Sequence, residues 1–220
     1  MAQFDENNRC KRQKACIILF TAAFILIAWF VMSGHSVGFD RCIDQFAYST
    51  RSALTKGIWT FLTYLANWRV IAAAIAVLLL TPATRRRFGV PMCVTSLLAL
   101  PLYKILKTAF ARPRPDPSLW LVTEHDFSFP SGHCMNGMVF YGLLIVLVRK
   151  YCPNRRAANV ITVLLALLLL AIGWSRIFLG VHHITDVLAG YSAGIVCVSI
   201  ASIIIDKRQT AEVARSNGKA

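Results

Sequence analysis

The chain has 220 residues, of which 56% are hydrophobic and 15% charged, against about 25% charged in an ordinary soluble domain. Its formal charge of +14 would suit nucleic acid or acidic lipid. No soluble segment carries a basic stripe interleaved with aromatics, which argues against a nucleic-acid partner. The basic residues sit instead at the ends of long apolar runs, where they meet lipid headgroups.

Taken in chain order, the pattern predicts an all-α integral membrane protein of six spans. Residues 1–14 form a basic N-terminal segment, and the apolar run Ala15–Met32 follows. That run exceeds the 7–15 residues of a signal-peptide core, and no small-x-small cleavage site follows it, so it reads as an uncleaved first span, about 15–33. Residues 34–57 are polar, with Asp40, Arg41, Asp44, Arg51 and Lys56, and parts of this stretch suit an amphipathic surface helix. A second span falls within 58–81. Asn67 and Arg69 interrupt it, so a short interfacial helix followed by a span from near Asn67 is an open alternative. Thr81-Pro82 ends this run.

The third span covers about 88–109 and runs into Arg112-Pro113-Arg114-Pro115-Asp116-Pro117, whose prolines cannot continue a helix. A polar loop reaches Pro130. Spans four, five and six cover about 132–148, 158–179 and 184–205, and 206–220 reads as a polar, mobile tail. The domain is therefore expected to be 15–205, between a basic N-terminus and a C-terminal tail. Seven cysteines include no CxxC pair, so neither a zinc site nor a disulfide framework is expected.

With both termini inside, the inside segments hold Arg9, Lys11, Arg12, Lys14, Arg85 to Arg87, Arg149, Lys150, Arg155, Arg156, Lys207, Arg208, Arg215 and Lys219. These are fifteen of the 24 basic residues, as the positive-inside rule asks. The 110–131 loop and the 176–183 turn are separated by two spans, so they share one membrane side, the outer one in this orientation.

Three clusters fall at those two turns: Lys107 to Arg114-Pro115, spaced K-x6-R-P; Pro130-Ser131-Gly132-His133; and Ser175-Arg176, then His182, then Asp186. His182 and Asp186 are four apart at the start of a helix, so they are expected on one face. The carboxylate can then keep one imidazole nitrogen protonated and leave the other as a nucleophile. His133, at the start of span four, can donate a proton to a leaving oxygen. The N–H groups of that helix start form an anion site, with Gly132 allowing close approach. Lys107, Arg114 and Arg176 add fixed positive charge, which phosphoryl transfer requires. His183 is expected to point about 100° away from its neighbour on a helix and to have no catalytic part. His125 is a loop residue near enough to line an entrance, and Lys104 is an open candidate for lipid phosphate.

These clusters, in this order and spacing, resemble the three-part signature of the type 2 phosphatidic acid phosphatase (PAP2) superfamily over about 107–190. The resemblance implies a six-span bundle that hydrolyses lipid phosphates or pyrophosphates through a phosphohistidine, without metal or other cofactor. His182 would be the nucleophile, Asp186 its orienting partner and His133 the general acid. Lys107, Arg114, Ser131, Gly132 and Arg176 would bind phosphate. Arg112-Pro113 is a second R-P, but seven residues before Arg112 stands Ile105, so Arg114 fits better. The family's compact bacterial members imply an inner-membrane enzyme with an outward-facing site. Its substrate would be undecaprenyl pyrophosphate, phosphatidylglycerophosphate, phosphatidic acid or a lipid A phosphate. Phosphotransfer within the family, and a non-enzymatic flippase outside it, are the competing readings.

Overall fold

In the computed structural model the backbone of residues 2–217 and the side chains of residues 9–212 are described, and among these there is helix but no strand. The helices are α1 (Ala2–Met32), α2 (Val37–Ser49), α3 (Ala53–Tyr64), α4 (Trp68–Leu80), α5 (Pro82–Phe110), α6 (Gly132–Tyr151), α7 (Arg155–Phe178) and α8 (Ile184–Asn217). Five of them (α1, α5, α6, α7 and α8) are long and apolar enough to cross a bilayer. The pair α3 and α4 qualifies as a sixth span if its 45° bend is allowed. At 1.5 Å per residue, the 13 residues of α4 reach about 20 Å, short of the roughly 30 Å hydrocarbon core, so α4 needs α3 to complete a crossing.

The bend falls where Asn67 and Arg69 interrupt the apolar run. Asn67 caps α4 by accepting a hydrogen bond from the Arg69 N–H at 3.0 Å, and Ser52 and Thr55 form a reciprocal capping box at the start of α3. Three helix limits differ from the sequence pattern. α5 begins at Pro82, not near 88, because proline is well placed in a first helical turn; a π-turn at Arg85–Gly89 then joins it to the apolar run. α8 does not stop at 205 but continues to Asn217, so the expected mobile tail is in large part helix. Residues 206–217 contain no proline or glycine to end it. α1 likewise starts at Ala2, well before the apolar run at Ala15.

α6 and α8 form the centre of the bundle. The most apolar window is 56% buried in α6 and 44% in α8, against 11–22% in α1, α5 and α7. Leu26 and Trp29 of α1, Leu97 and Leu98 of α5, and Leu167 and Leu170 of α7 are exposed, as side chains facing lipid should be. A core of Met92, Phe140, Leu143, Leu147, Leu169 and Ile172 fills one half of the bundle. α2 is the expected amphipathic helix with an unusual polarity. It buries Asp40 and Asp44 and exposes Val37, Phe39 and Phe46. A helix that turns carboxylates inward has to find cations there.

Candidate active site

The loop after α5 and the turn between α7 and α8 meet at one end of the bundle. Arg114 Nη1 donates to the Val181 carbonyl at 2.7 Å, and the Leu121 N–H donates to the Leu179 carbonyl at 2.9 Å. α5 ends because Ala111 turns left-handed at φ 44°, after which the proline run keeps the chain extended. Gly180, at φ +77°, makes the turn ahead of His182, where any Cβ would strike the Leu119 carbonyl.

His182 itself precedes α8 rather than lying on it, so the two residues do not pair along one helix face. Its Nδ1 is 3.5 Å from Asp186 Oδ2, and Ser128 completes the link. The Ser128 hydroxyl donates to Asp186 Oδ2 at 2.5 Å and lies 3.3 Å from His182 Nδ1. On the other side of the ring, Nε2 is 3.1 Å from Arg114 Nη1. A guanidinium can only donate, so Nε2 carries the lone pair and Nδ1 the proton. Burial pushes the His182 imidazole down to about 3. The hydrogen bond to Asp186 opposes that shift, and the nearby Arg114 and Arg176 charges reinforce it. The ring is therefore neutral at ordinary pH.

Asp186 is fully buried, and its second oxygen receives Arg112 Nη1 at 2.5 Å. Arg112 reaches Asp40 Oδ2 of α2 with its other nitrogen at 2.7 Å. Burial opposes the charge on Arg112, but Asp186 and Asp40 outweigh it and raise its pKa. The Thr185 hydroxyl joins the same cluster through Asp40 at 2.9 Å. Arg112, Ser128 and Asp40 were not singled out by the sequence pattern. The second R-P was the available sign of Arg112; no local spacing marks the other two.

A cavity of about 880 Å³ opens beside His182. Its polar end carries Lys107, Arg114, Glu124, Asp126, His133 and His182. Its apolar arm runs between Ile71, Ile75 and Leu79 of α4 and Leu97, Leu100 and Pro101 of α5. Of the expected site residues, Lys107, Arg114, Gly132, His133 and His182 line this space. Ser131 and Arg176 lie behind its wall. Ser131 Oγ is buried beside Cys134 without an oxygen or nitrogen partner among the described residues. Arg176 is bound by Thr63 Oγ1 at 3.0 Å and by Glu124. Gly132 serves a neighbour as well as the cavity: a Cβ there would come 2.6 Å from the Tyr103 hydroxyl. Lys104 lines this cavity too and also borders a second hollow of about 570 Å³, which holds His125. Among the described residues no cluster of three metal-ligating side chains occurs.

A multi-span helical bundle with this end-on polar site defines a class of membrane protein. Within that class, residues 88–210 match the PAP2 superfamily, and the chain belongs to it. The chain is 41% identical to phosphatidylglycerophosphatase B of Bacillus subtilis (strain 168) over 98 residues, 43% of this chain and 46% of that relative. The match thus spans under half of that relative's length. It is 26% identical to an undecaprenyl-diphosphatase of Sulfolobus acidocaldarius over 184 residues, 80% of this chain and 84% of the relative. By name, one relative is a phosphatase and the other a diphosphatase.

Two solved structures share the fold. A transmembrane PAP2 type phosphatidylglycerolphosphate phosphatase from Bacillus subtilis aligns with TM-score 0.80 and 26% identity, covering 87% of this chain and 96% of that one. Aquifex aeolicus LpxE aligns with TM-score 0.59 and 25% identity, covering 72% and 91%.

Proposed function

We propose that the chain is a membrane phosphatase that hydrolyses lipid phosphates or diphosphates through a phosphohistidine on His182. The observation that carries this reading is the position of His182 Nε2. It is the unprotonated nitrogen, it faces Arg114, and it lies on the wall of a cavity with a polar end, where Lys107 and Arg114 stand, and an apolar arm. A phosphate among Lys107 and Arg114, with its lipid chain between α4 and α5, would present phosphorus to that nitrogen.

In the first step the bond from Nε2 to the terminal phosphorus forms and its P–O bond to the leaving group breaks, the leaving group being the lipid alcohol of a monophosphate or the lipid monophosphate of a diphosphate. His133, on the first turn of α6, gives its proton to the leaving oxygen. Asp186 and Ser128 stabilise the charge that develops on His182. In the second step His133 takes a proton from water, the water oxygen bonds to phosphorus, and the Nε2–P bond breaks to release inorganic phosphate. Arg176 and the buried Ser131 hydroxyl are the reserve of phosphate donors behind the wall. We place the site on the outer membrane face with both termini inside, on the strength of the basic bias of the inner segments.

The test is phosphate release by the purified chain across undecaprenyl diphosphate, phosphatidylglycerophosphate, phosphatidic acid and lipid A, with and without excess EDTA. Release in EDTA, together with an acid-labile, base-stable phosphoenzyme, is the expected result. Strict dependence on added magnesium would point to another mechanism.

A further inference from the structure

The cations assigned to phosphate are already engaged. Asp126 Oδ1 is 2.8 Å from Lys107 Nζ and also receives Arg114 Nη2. Its second oxygen accepts from the Tyr103 hydroxyl at 2.9 Å. Glu124 receives Arg176 Nη2 through one oxygen and faces Arg114 at 3.5 Å through the other. Burial opposes the Asp126 charge, but Lys107 and Arg114 hold its carboxyl below the usual carboxylate range. Glu124 lines the cavity and Arg176 does not, so the carboxylate stands between that guanidinium and the ligand space.

The two acids stand on a short arch with fixed ends. Leu121 is bonded to Leu179 at one end, and the Ser128 N–H donates to the Arg112 carbonyl at 2.8 Å at the other. Among the described residues, no backbone–backbone hydrogen bond holds residues 122–127 to the rest of the chain. Val122 packs against Phe178, Leu179 and Val181 and the Tyr103 hydroxyl holds Asp126; the other ties of the arch are to the cations themselves. Arg114 Nε donates to the Asp126 carbonyl at 2.7 Å, and Lys107 donates to the Phe127 carbonyl. Two carboxylates spread over these three cations cancel two of their three charges. A phosphate that takes these donors also brings its charge against both carboxylates, and like charges at that range repel.

We propose that Glu124 and Asp126 are an internal competitor for the phosphate: they hold the donors in the empty site, swing away when phosphate binds, and return to expel it. They thereby set the affinity of the site for phosphate. This rests on the reading of the site given above. The same pair would keep the cations ordered between turnovers and limit retention of product.

The test is the binding of inorganic phosphate to the full detergent-solubilised chain at fixed ionic strength, by calorimetry, in wild type, Glu124→Gln, Asp126→Asn and Lys107→Met. Each acid substitution is expected to tighten phosphate about fivefold, the scale of one charge-assisted contact released. Unchanged or weaker binding in both acid variants overturns the proposal, since carboxylates that merely orient the cations would weaken binding when lost. Asp126 is half-exposed, so Asp126→Asn gives a folded variant even if Glu124→Gln, which leaves buried Arg176 unpaired, does not. Binding that survives Lys107→Met refutes the assignment of the site itself. Binding lost with Lys107→Met but tightened by neither acid substitution refutes the competitor alone.

Discussion

His182 and His183 are neighbours in the chain, and each has a carboxylate against its Nδ1. Asp186 is 3.5 Å from His182, and Asp44 is 2.6 Å from His183. The shorter and stronger pair is therefore the one outside the cavity. What separates the two regions is the far side of each ring. His182 Nε2 meets Arg114 on the cavity wall, whereas His183 turns towards α2, and its backbone N–H donates to Asp186 at 2.9 Å. A carboxylate partner is common to both environments, so it does not by itself mark a nucleophile. Access to the ligand space and a ring of donors does.

The largest effect that tests this contrast is His182→Ala. With no nitrogen to accept the phosphoryl group, phosphate release should fall by about 10³-fold or more, while the protein still inserts and purifies. Activity within threefold of wild type would remove His182 from the mechanism. Next comes Arg112, which joins the two regions by pairing Asp186 on the cavity side with Asp40 on α2. Arg112→Met leaves two buried carboxylates unpaired and should cost about 3 kcal/mol or more of stability, read as a lower melting temperature. Arg112→Lys should recover only part of this, because an ammonium cannot fork between two carboxylates. Equal melting of all three proteins would show that Asp186 is held without Arg112.

The reach of these contacts explains what the sequence disclosed. Lys107 with Arg114, and Ser131 with His133, are local spacings that can be read along the chain. The partners that fix the site are not local. Ser128 lies 58 positions from Asp186, Arg112 lies 74 from it, and Asp40 lies 145 from Thr185. No period or spacing encodes such pairs, since they exist only once the helices pack. The same holds for α2: its amphipathic pattern was legible, but the inward turn of its acidic face follows from cations that come from elsewhere. The end of α8, at Asn217 instead of 205, departs from the sequence pattern for a different reason. A polar stretch resembles a loop by composition, yet helix continues wherever nothing breaks it.

The pH dependence offers a smaller effect. Burial lowers the folded pKa of His182 to about 3, against about 6.5 for an unfolded histidine. Between these values the unfolded chain binds a proton that the folded chain does not. Stability from this residue is therefore complete above pH 6.5 and is lost as pH falls towards 3. Wild type should lose on the order of 2 kcal/mol more than His182→Gln between pH 6.5 and 4.5. Parallel melting curves for the two proteins across that range would mean that His182 is already charged in the folded state.

The smallest effect is expected at His183, and it decides whether the two histidines differ in kind. His183→Gln removes the Nδ1 contact to Asp44 but keeps the backbone N–H that Asp186 accepts. Its cost should be about 1 kcal/mol, the scale of one hydrogen bond, with phosphate release within about threefold of wild type by the same energy scale. A change in KM alone would place α2 at the cavity mouth, and a change in kcat alone would carry the effect through Asp186. If His183→Gln instead matched His182→Ala, the Asp44 pair would belong to the chemistry. The outward-facing aromatics of α2 would then have a reason to be where they are, since they would anchor in lipid the helix that holds a second essential carboxylate.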